Sequence, residues 1–255
     1  MCGRFVAASS PTLLAERFHV DDVVDDGSGP DYNVAPRANV LVVRDRADGE
    51  STRRVLSRVR WGLVPSWARD PSVGDRMINA RAETVASKPA YRHALEHRRC
   101  LVPADGFYEW RRLEPAPGSK RVRKEPTFIH RRDGEPMAFA GLWAVWKVPD
   151  ELAGTIGSDD GWLRSCAIVT TRANDLLAPI HDRMPVLLPE TAWDVWLAPR
   201  DRADDVPTLT SLLVPAPDDE LATYVVSDRV NRADENDAEL VRPVDGAAGP
   251  VGSAP

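Results

Sequence analysis

Residues 137–146, MAFAGLWAVW, and residues 165–171, SCAIVTT, decide the fold class of this chain. Both are short runs rich in apolar, aromatic or β-branched residues, a composition typical of buried strands. Residues 40–43, VLVV, form a third such run, and residues 54–61 alternate arginine with apolar side chains as in a half-buried strand. The strands do not alternate regularly with long helices. The sequence therefore predicts a single α+β domain with a mainly antiparallel, curved and barrel-like sheet flanked by short helices.

Three segments have the pattern of short helices. Ser10 followed by Pro11 is typical of an N-cap and a first helical turn. Residues 90–97 and 191–197 carry apolar side chains at helical spacing, and the second of these predicts a helix that faces the core.

The connecting segments suggest where the domain ends. Residues 199–220 are acidic and contain several prolines, which predicts a linker, and residues 111–125 (RRLEPAPGSKRVRKE) predict a basic hairpin loop on the surface. Residues 244–255 consist mostly of small residues and proline, so we expect a disordered tail. One domain over residues 1–243 is the expected organisation.

Length and composition limit the class of protein. With 255 residues and 43% hydrophobic residues, the chain is long enough to bury a substantial core. It contains neither an apolar run of about 18 residues nor an N-terminal signal pattern, so we expect a cytoplasmic protein, nucleoid-associated if bacterial, that does not bind membranes. The three cysteines are far apart in sequence, which favours reduced thiols over a disulfide framework.

Charge is distributed unevenly along the chain. The net charge is −6, but residues 1–150 carry 25 Lys and Arg against 20 Asp and Glu, a net of +5, whereas residues 151–255 carry 8 against 19, a net of −11. An acidic protein with a basic segment remains compatible with binding a phosphate backbone. The overall charge alone therefore does not exclude a nucleic-acid partner.

The first residues carry the strongest chemical signal. Cys2 follows the initiator Met1 directly, so loss of Met1 leaves an α-amine and a thiol on adjacent carbons. The amine titrates near pH 8 and the thiol near 8.5, so both are partly reactive near neutral pH. Such a 1,2-aminothiol attacks an aldehyde through nitrogen to give a Schiff base and then closes through sulfur to a thiazolidine.

Several polar residues are candidates to assist Cys2. His181 lies in a loop between two prolines and suits general acid–base chemistry. Glu109 stands between two aromatic residues, where burial would raise its pKa and suit it to proton transfer. Asn79 and Arg81 share one face of an extended segment, where the amide can orient a reacting group and the guanidinium can bind phosphate.

Other kinds of site have weaker support. The cysteines and His181 lack the spacing of a zinc site, so we expect no metal, and isolated glycines give no phosphate-binding loop, so no cofactor is implied. Trp61 and Trp67 are core residues or, if exposed, stacking platforms for bases.

Six motifs follow one another along the chain. They are MCGRF at residues 1–5, YNVAP at 32–36, WGLVPSW at 61–67, INARAET at 78–84, PADGFYEW at 103–110 and IHDRMP at 180–185. Together they resemble the SOS-response-associated peptidase (SRAP) family of abasic-site processing proteins, and the resemblance extends to about residue 243.

The resemblance implies a protein that removes its own Met1, binds single-stranded DNA at an abasic site and forms a covalent thiazolidine crosslink with the ring-opened sugar. It also implies an autopeptidase-type hydrolase with a cysteine nucleophile. Because a Schiff base at C1′ acidifies the neighbouring C2′ protons, we expect some competing lyase-like strand scission. Cys2 would be the nucleophile, and Asn79 would hold Cys2 and the sugar. Glu109 would move protons, and His181 would engage the opened sugar hydroxyl and assist crosslink reversal.

The same resemblance implies a DNA-binding surface. Arg4 and Arg81 match positions that contact flanking phosphates, and Asn33, Pro36 and Trp67 match the loop and aromatic surface where the DNA bends. The basic loop over residues 111–124 departs from the family's pattern and has no assigned role. We expect a monomer.

Two other interpretations stay open at the level of sequence. N-terminal-nucleophile amidotransferases also begin Met-Cys-Gly, although the Asn-Gly pattern of their glutamine pocket does not accompany it here. A non-catalytic module that binds single-stranded DNA, with an incidental Cys2, is the second.

Overall fold

The computed structural model describes residues 2–24, 27–49, 51–115, 122–154, 160–198 and 206–244. The strands in these ranges are β1 (Phe5–Ala7), β2 (Asp22–Val24), β3 (Asp31–Val34), β4 (Asn39–Asp48), β5 (Ser51–Trp61), β6 (Asn79–Arg81), β7 (Arg99–Ala104), β8 (Gly106–Leu113), β9 (Arg123–Arg131), β10 (Met137–Lys147), β11 (Trp162–Arg172), β12 (Arg183–Pro185) and β13 (Leu221–Val225). The α-helices are α1 (Pro11–Arg17), α2 (Pro89–His97), α3 (Glu190–Leu197) and α4 (Val206–Ser211).

Five of these strands close a small barrel. β5, β4, β7, β10 and β11 are successive antiparallel neighbours, and β11 then pairs with β5 in parallel. The closing pairs are Ser165 with Arg60 and Cys166 with Trp61. Closure satisfies backbone groups that an open edge would expose. The predicted α+β class with a mainly antiparallel, barrel-like sheet is confirmed.

A second, antiparallel sheet of five strands lies against the barrel in the order β13-β9-β8-β1-β3. The chain passes from β7 in the barrel to β8 in this sheet through the single residue Asp105, whose carboxylate accepts hydrogen bonds from the backbone N–H groups of Ala8 (2.6 Å) and Ser9 (3.0 Å). Gly106 is required at this corner, because a Cβ there would lie 2.3 Å from the Phe128 ring. The corner brings the N-terminal strand β1 to the barrel.

Side chains along the barrel strands alternate between two clusters, as the strand period of two requires. One set packs against the helices and therefore faces outward, since a five-stranded barrel has no room for a helix; it includes Leu101, Leu142 and Val169. The other set faces inward and includes Cys100, Cys166 and Ile168. Cys2 and Phe5 belong to the inward cluster, which places the N-terminus at one end of the barrel.

The predicted helices are confirmed. α1 begins at Pro11 with Ser10 as its N-cap, whose hydroxyl accepts from the N–H of Leu13 at 3.2 Å. α2 and α3 coincide closely with residues 90–97 and 191–197. No helix in the described ranges is long and apolar enough to cross a membrane.

The predicted linker over residues 199–220 is wrong for the part that the structure describes. Residues 206–211 form α4, and Leu209 and Leu213 are buried against the helices. The apolar residues between the prolines give this segment a packed face, which its acidic composition concealed. Residues 199–205 lie outside the described ranges.

Two further expectations concern the loop and the tail. The two ends of the hairpin predicted over residues 111–125 are strand, because β8 and β9 pair as far as Leu113 and Arg123. Residues 116–121 lie outside the described ranges. Val244, the first residue of the expected tail, contacts the fold, since its N–H donates to the carbonyl of Val225 at 3.0 Å. Residues 245–255 lie outside the described ranges.

Candidate active site

Cys2 lies at the end of the barrel and is fully buried in the chain that still carries Met1. The inward cluster to which it belongs also contains Trp61, Leu177 and Met184. Burial and, to a smaller degree, the negative charge of Glu109 raise the pKa of the Cys2 thiol. The thiol is therefore protonated at neutral pH, and its reaction requires a proton acceptor.

Asn79 holds the backbone of Cys2. The Asn79 Nδ2 atom donates to the carbonyl oxygen of Cys2 at 2.8 Å. Asn79 itself is fixed by pairing of β6 with β11 and by the hydroxyl of Tyr91 on α2, which donates to the Asn79 carbonyl at 3.0 Å. The Asn79 Oδ1 atom is buried and has no hydrogen-bond partner among the described residues. A buried acceptor without a partner is costly, and it marks a position suited to a bound donor.

Glu109 lies on β8, on the face that points toward the barrel. It is two residues from Phe107, which belongs to the inward cluster, and its side chain is buried, with 3% of the residue exposed. Burial raises the pKa of Glu109 to about 7. A carboxyl group with this pKa can both accept and donate a proton near neutral pH.

His181 lies in the loop before β12, with 28% of its side chain exposed. Its Nδ1 atom lies 2.9 Å from the backbone nitrogen of Arg183 and 2.9 Å from a carboxylate oxygen of Asp182. Partial burial lowers the pKa of His181, which favours the neutral ring at pH 7.

An ion pair fixes the His181 loop. The guanidinium of Arg183 contacts both carboxylate oxygens of Glu83 at 2.6 and 3.0 Å and also donates to the carbonyl of Thr170 at 2.6 Å. This hydrogen bonding lowers the pKa of Glu83. Because Glu83 follows β6 by two residues, the pair joins the segment that carries Asn79 and Arg81 to the loop that carries His181.

Arg4 and Asn33 are placed differently from the remaining DNA-contact candidates. The Nη1 atom of Arg4 donates to Asn33 Oδ1 at 2.7 Å and to the carbonyl of Val230 at 2.9 Å. Asn33 is buried, and its Nδ2 atom donates to the carbonyls of Arg232 (2.8 Å) and Glu235 (2.9 Å). These two residues connect the N-terminal segment to residues 230–235, and Asn33 does not face the surface.

Trp67 and Arg81 are exposed. Trp67 has 63% of its surface accessible and lines a depression of about 370 Å³ together with Arg69 and Arg76. Arg81 is at the end of β6, and Pro36 is half-buried beside an exposed turn. Trp61, in contrast, is fully buried and donates from Nε1 to the carbonyl of Ile78 at 2.9 Å, so it is a core residue.

Two arginines on the basic face predicted for β5 form ion pairs with acidic side chains of the same chain. Arg54 contacts Asp45 at 3.0 Å and Asp194 at 2.7 Å, and Arg60 contacts Asp75 at 2.6 Å. These arginines therefore contribute less free positive charge than the sequence suggested.

The structure thus brings Cys2, Asn79 and Glu109 together at the end of the barrel and places His181 in the loop beside β12. Sequence reasoning missed the roles of Tyr91, Glu83 and Arg183 in holding these side chains, although Glu83 and Arg183 lie inside two of the recognised motifs. It also missed the pair of histidines at residues 93 and 97, whose spacing of four along a helix was the available signal.

Comparison with known proteins establishes the family. The chain belongs to the SOS response associated peptidase (SRAP) family, whose model matches residues 1–233.

Individual relatives align over nearly the whole chain. The chain is 41% identical over 242 residues to the abasic site processing protein YoqW of Bacillus subtilis, covering 94% of this chain and 99% of that protein. It is 32% identical over 250 residues to the abasic site processing protein YedK of Escherichia coli, covering 96% and 100%. A crystal structure of a protein from Bacteroides thetaiotaomicron has the same fold, with a TM-score of 0.77 at 24% identity over 95% of this chain and 99% of that one.

Proposed function

We propose that this protein processes abasic sites in single-stranded DNA by forming a covalent crosslink through Cys2. The relatives YoqW and YedK are named abasic site processing proteins. The observation that carries the proposal is the position of Cys2, beside Glu109 with its pKa of about 7 and held by the Asn79 amide.

The reaction starts after hydrolysis of the Met1–Cys2 bond, which frees the α-amine of Cys2. An abasic deoxyribose is partly ring-opened, and its C1′ aldehyde is the electrophile. The amine adds to C1′ to give a carbinolamine, which loses water to form a Schiff base. The thiol then adds across the C=N bond, its sulfur bonding to C1′ and its proton reaching the nitrogen. The sum is aldehyde plus aminothiol giving thiazolidine plus one water.

Glu109 supplies the proton transfers that these steps require. With a pKa of about 7, it accepts the proton lost by the attacking amine and returns one to the departing hydroxyl. It also accepts the proton of the Cys2 thiol, whose pKa is raised by burial. The Asn79 Oδ1 atom, which has no partner among the residues that the structure describes, is suited to accept from the amine or from a sugar hydroxyl.

DNA binding is assigned to the exposed basic and aromatic side chains near this end of the barrel. Arg81 suits a flanking phosphate, and Trp67 suits a stacked base with Arg69 and Arg76 beside it. Arg4 and Asn33 fix the N-terminal segment that carries Cys2. Because the target base is missing, no base-specific contact is needed.

The experiment that tests this function compares two single-stranded oligonucleotides that differ at one position. One contains an abasic deoxyribose, and the other contains its tetrahydrofuran analogue, which cannot open to an aldehyde. We expect a heat-stable shift on a denaturing gel with the abasic oligonucleotide alone. An equal shift with both, or none with either, would contradict the proposal and favour a non-covalent binding module or another enzyme class.

His181→Ala is expected to slow release of DNA from a preformed crosslink more than it slows crosslink formation. A neutral ring that donates from Nδ1 to the Asp182 carboxylate lets Nε2 accept the proton of the opened sugar hydroxyl. That oxygen bonds to C1′ as the bond from C1′ to the Cys2 nitrogen breaks, which regenerates the abasic sugar. Release is measured by chasing a purified crosslink with excess competitor. We expect the rate of release to fall about 10²-fold, which is the lower end of the usual contribution of a general acid–base group.

Two further variants sharpen this test. Glu83→Gln leaves the imidazole in place but weakens the ion pair that holds Arg183, so it should slow release by a smaller factor and shift the pH profile of release. His19→Ala removes an exposed histidine that contacts Glu190 and should have no effect. Equal losses in formation and release for His181→Ala would reject the assigned role.

A further inference from the structure

Helix α2 carries a cluster of side chains that the crosslinking chemistry does not use. Tyr91, Ala94 and Leu95 form the buried face of the helix. His93 and His97 lie one turn apart on another face, with their ring centroids 4.7 Å from each other. A carboxylate oxygen of Glu96 lies 3.7 Å from His97 Nε2. One ligand atom from each of the three residues lies within 4.8 Å of the other two.

We propose that His93, Glu96 and His97 bind a divalent transition metal ion of the zinc, nickel or copper type. Imidazole nitrogen is a preferred ligand of these ions, and residues at i and i+4 on a helix present two imidazoles to one point. The same spacing places two histidines on zinc in helical metal motifs. The Glu96 carboxylate is the third donor and offsets part of the ion's charge.

The geometry requires only a small adjustment to accept an ion. Two ligand atoms on a tetrahedral zinc, each at roughly 2.0–2.1 Å, are about 3.3 Å apart. The ligand atoms of this cluster lie within 4.8 Å of one another, and His93 is exposed and can turn inward by side-chain rotation. The open side faces solvent, so water would complete the coordination, as in a site with three protein ligands.

The thiols of the chain do not compete for the ion in the folded state. Cys2, Cys100 and Cys166 are each fully buried, and burial raises the pKa of Cys166 to about 12. Metal binding requires the deprotonated thiolate, which these buried groups disfavour. Among the residues that the structure describes, His93, Glu96 and His97 are the three potential metal ligands that lie close enough together to share one ion.

Binding at this place would stabilise α2 without entering the reaction. An ion that joins His93 to His97 favours the helical conformation of the last turn. The hydroxyl of Tyr91 on the same helix donates to the carbonyl of Asn79, so the helix helps to fix Asn79 in the candidate active site. An ion that binds the folded state alone raises the midpoint of thermal unfolding. The inference is independent of the proposed crosslinking function.

The test is a calorimetric titration of the full chain, stripped of metal, with ZnCl₂, NiCl₂ and CuCl₂ in turn. We expect one ion per chain and a thermal midpoint that rises with added ion, with no response to MgCl₂, which prefers oxygen ligands. His93→Ala should weaken binding by at least about 10-fold and remove the thermal response. His93 is exposed, so circular dichroism of this variant should match the parent.

His19→Ala is the matched control, because it removes an exposed histidine outside the cluster. It should bind the ion as tightly as the parent. Unchanged affinity in both His93→Ala and His97→Ala, an equal loss in His19→Ala, or no binding by the parent would each overturn the proposal.

Discussion

Cys2→Ala is expected to abolish the heat-stable crosslink to abasic DNA. The variant still has a terminal α-amine, on the introduced alanine or on a retained Met1, so the first addition and the Schiff base remain possible. Without sulfur the ring cannot close, and the Schiff base returns to aldehyde and amine by hydrolysis. The measurement is a denaturing gel run with and without borohydride, which reduces a Schiff base to a stable amine. We expect a trapped product in the borohydride lane alone.

The control for this variant is Cys100→Ala, which removes a buried thiol inside the barrel and leaves Cys2 in place. It should retain the crosslink without borohydride, with a stability loss typical of a small core truncation. A heat-stable crosslink in Cys2→Ala, or its loss in a folded Cys100→Ala, would contradict Cys2 as the reacting residue.

Glu109→Gln is expected to slow crosslink formation by about 10²- to 10⁴-fold, the usual range for loss of a general acid–base group. Glutamine preserves the shape and the hydrogen bonding of the side chain but carries no transferable proton. In the parent, a plot of the crosslinking rate against pH should change slope near pH 7, because burial raises the pKa of Glu109 to about 7. The variant should lose that change of slope. Glu125→Gln, on the same hairpin but in a partly exposed pair with Arg111, should retain the parental rate and profile.

The same variant should change the pH dependence of stability. The pKa of Glu109 is raised from the ordinary value near 4.3 to about 7, so the folded state holds a proton that the unfolded state has lost across this window. The stabilising contribution is present below pH 4.3 and is lost as the pH rises through 7. Glu109→Gln should therefore be more stable than the parent at pH 8, by at most about 4 kcal/mol, in urea unfolding. Equal stability at pH 5 and 8 for both proteins would contradict the raised pKa.

In the proposed mechanism, the lower stability that a buried carboxyl group causes above pH 7 accompanies its ability to transfer protons. A glutamine there would fold at less cost, whereas a carboxyl group near its pKa at neutral pH can serve both as base and as acid. Burial of the Cys2 thiol acts in the same direction, because the protonated thiol needs a nearby acceptor and Glu109 is close enough for its charge to affect the thiol.

Local patterns predicted most of the fold. The apolar runs that became β10 and β11 and the N-cap before α1 depend on neighbouring residues alone, so they were readable from the sequence. Closure of the barrel was not, because the parallel pairing of β11 with β5 joins residues about 105 positions apart, as in the pair of Ser165 with Arg60. α4 was missed because its segment is acidic overall, and its buried face rests on a few residues such as Leu209.

The sequence motifs predicted the reactive residues of the candidate site but not the residues that hold them in place. Cys2, Asn79 and Glu109 carry recognisable chemistry, whereas the hydrogen bond from Tyr91 to Asn79 links two elements through a side chain with an ordinary structural appearance. Asn33 illustrates the converse case. Its motif suggested a surface contact, but its amide is buried and bonded to the carbonyls of Arg232 and Glu235, which lie about 200 residues further along the chain.

The central claim is that the α-amine and the thiol of Cys2 both bond to the abasic sugar. Intact-mass measurement of the purified crosslink tests it most directly, followed by peptide mapping of the DNA-bearing residue. We predict the mass of the chain without Met1 plus the oligonucleotide minus one water, with the DNA on Cys2. A crosslinked chain that retains Met1, or DNA attached at any other residue, would contradict the account.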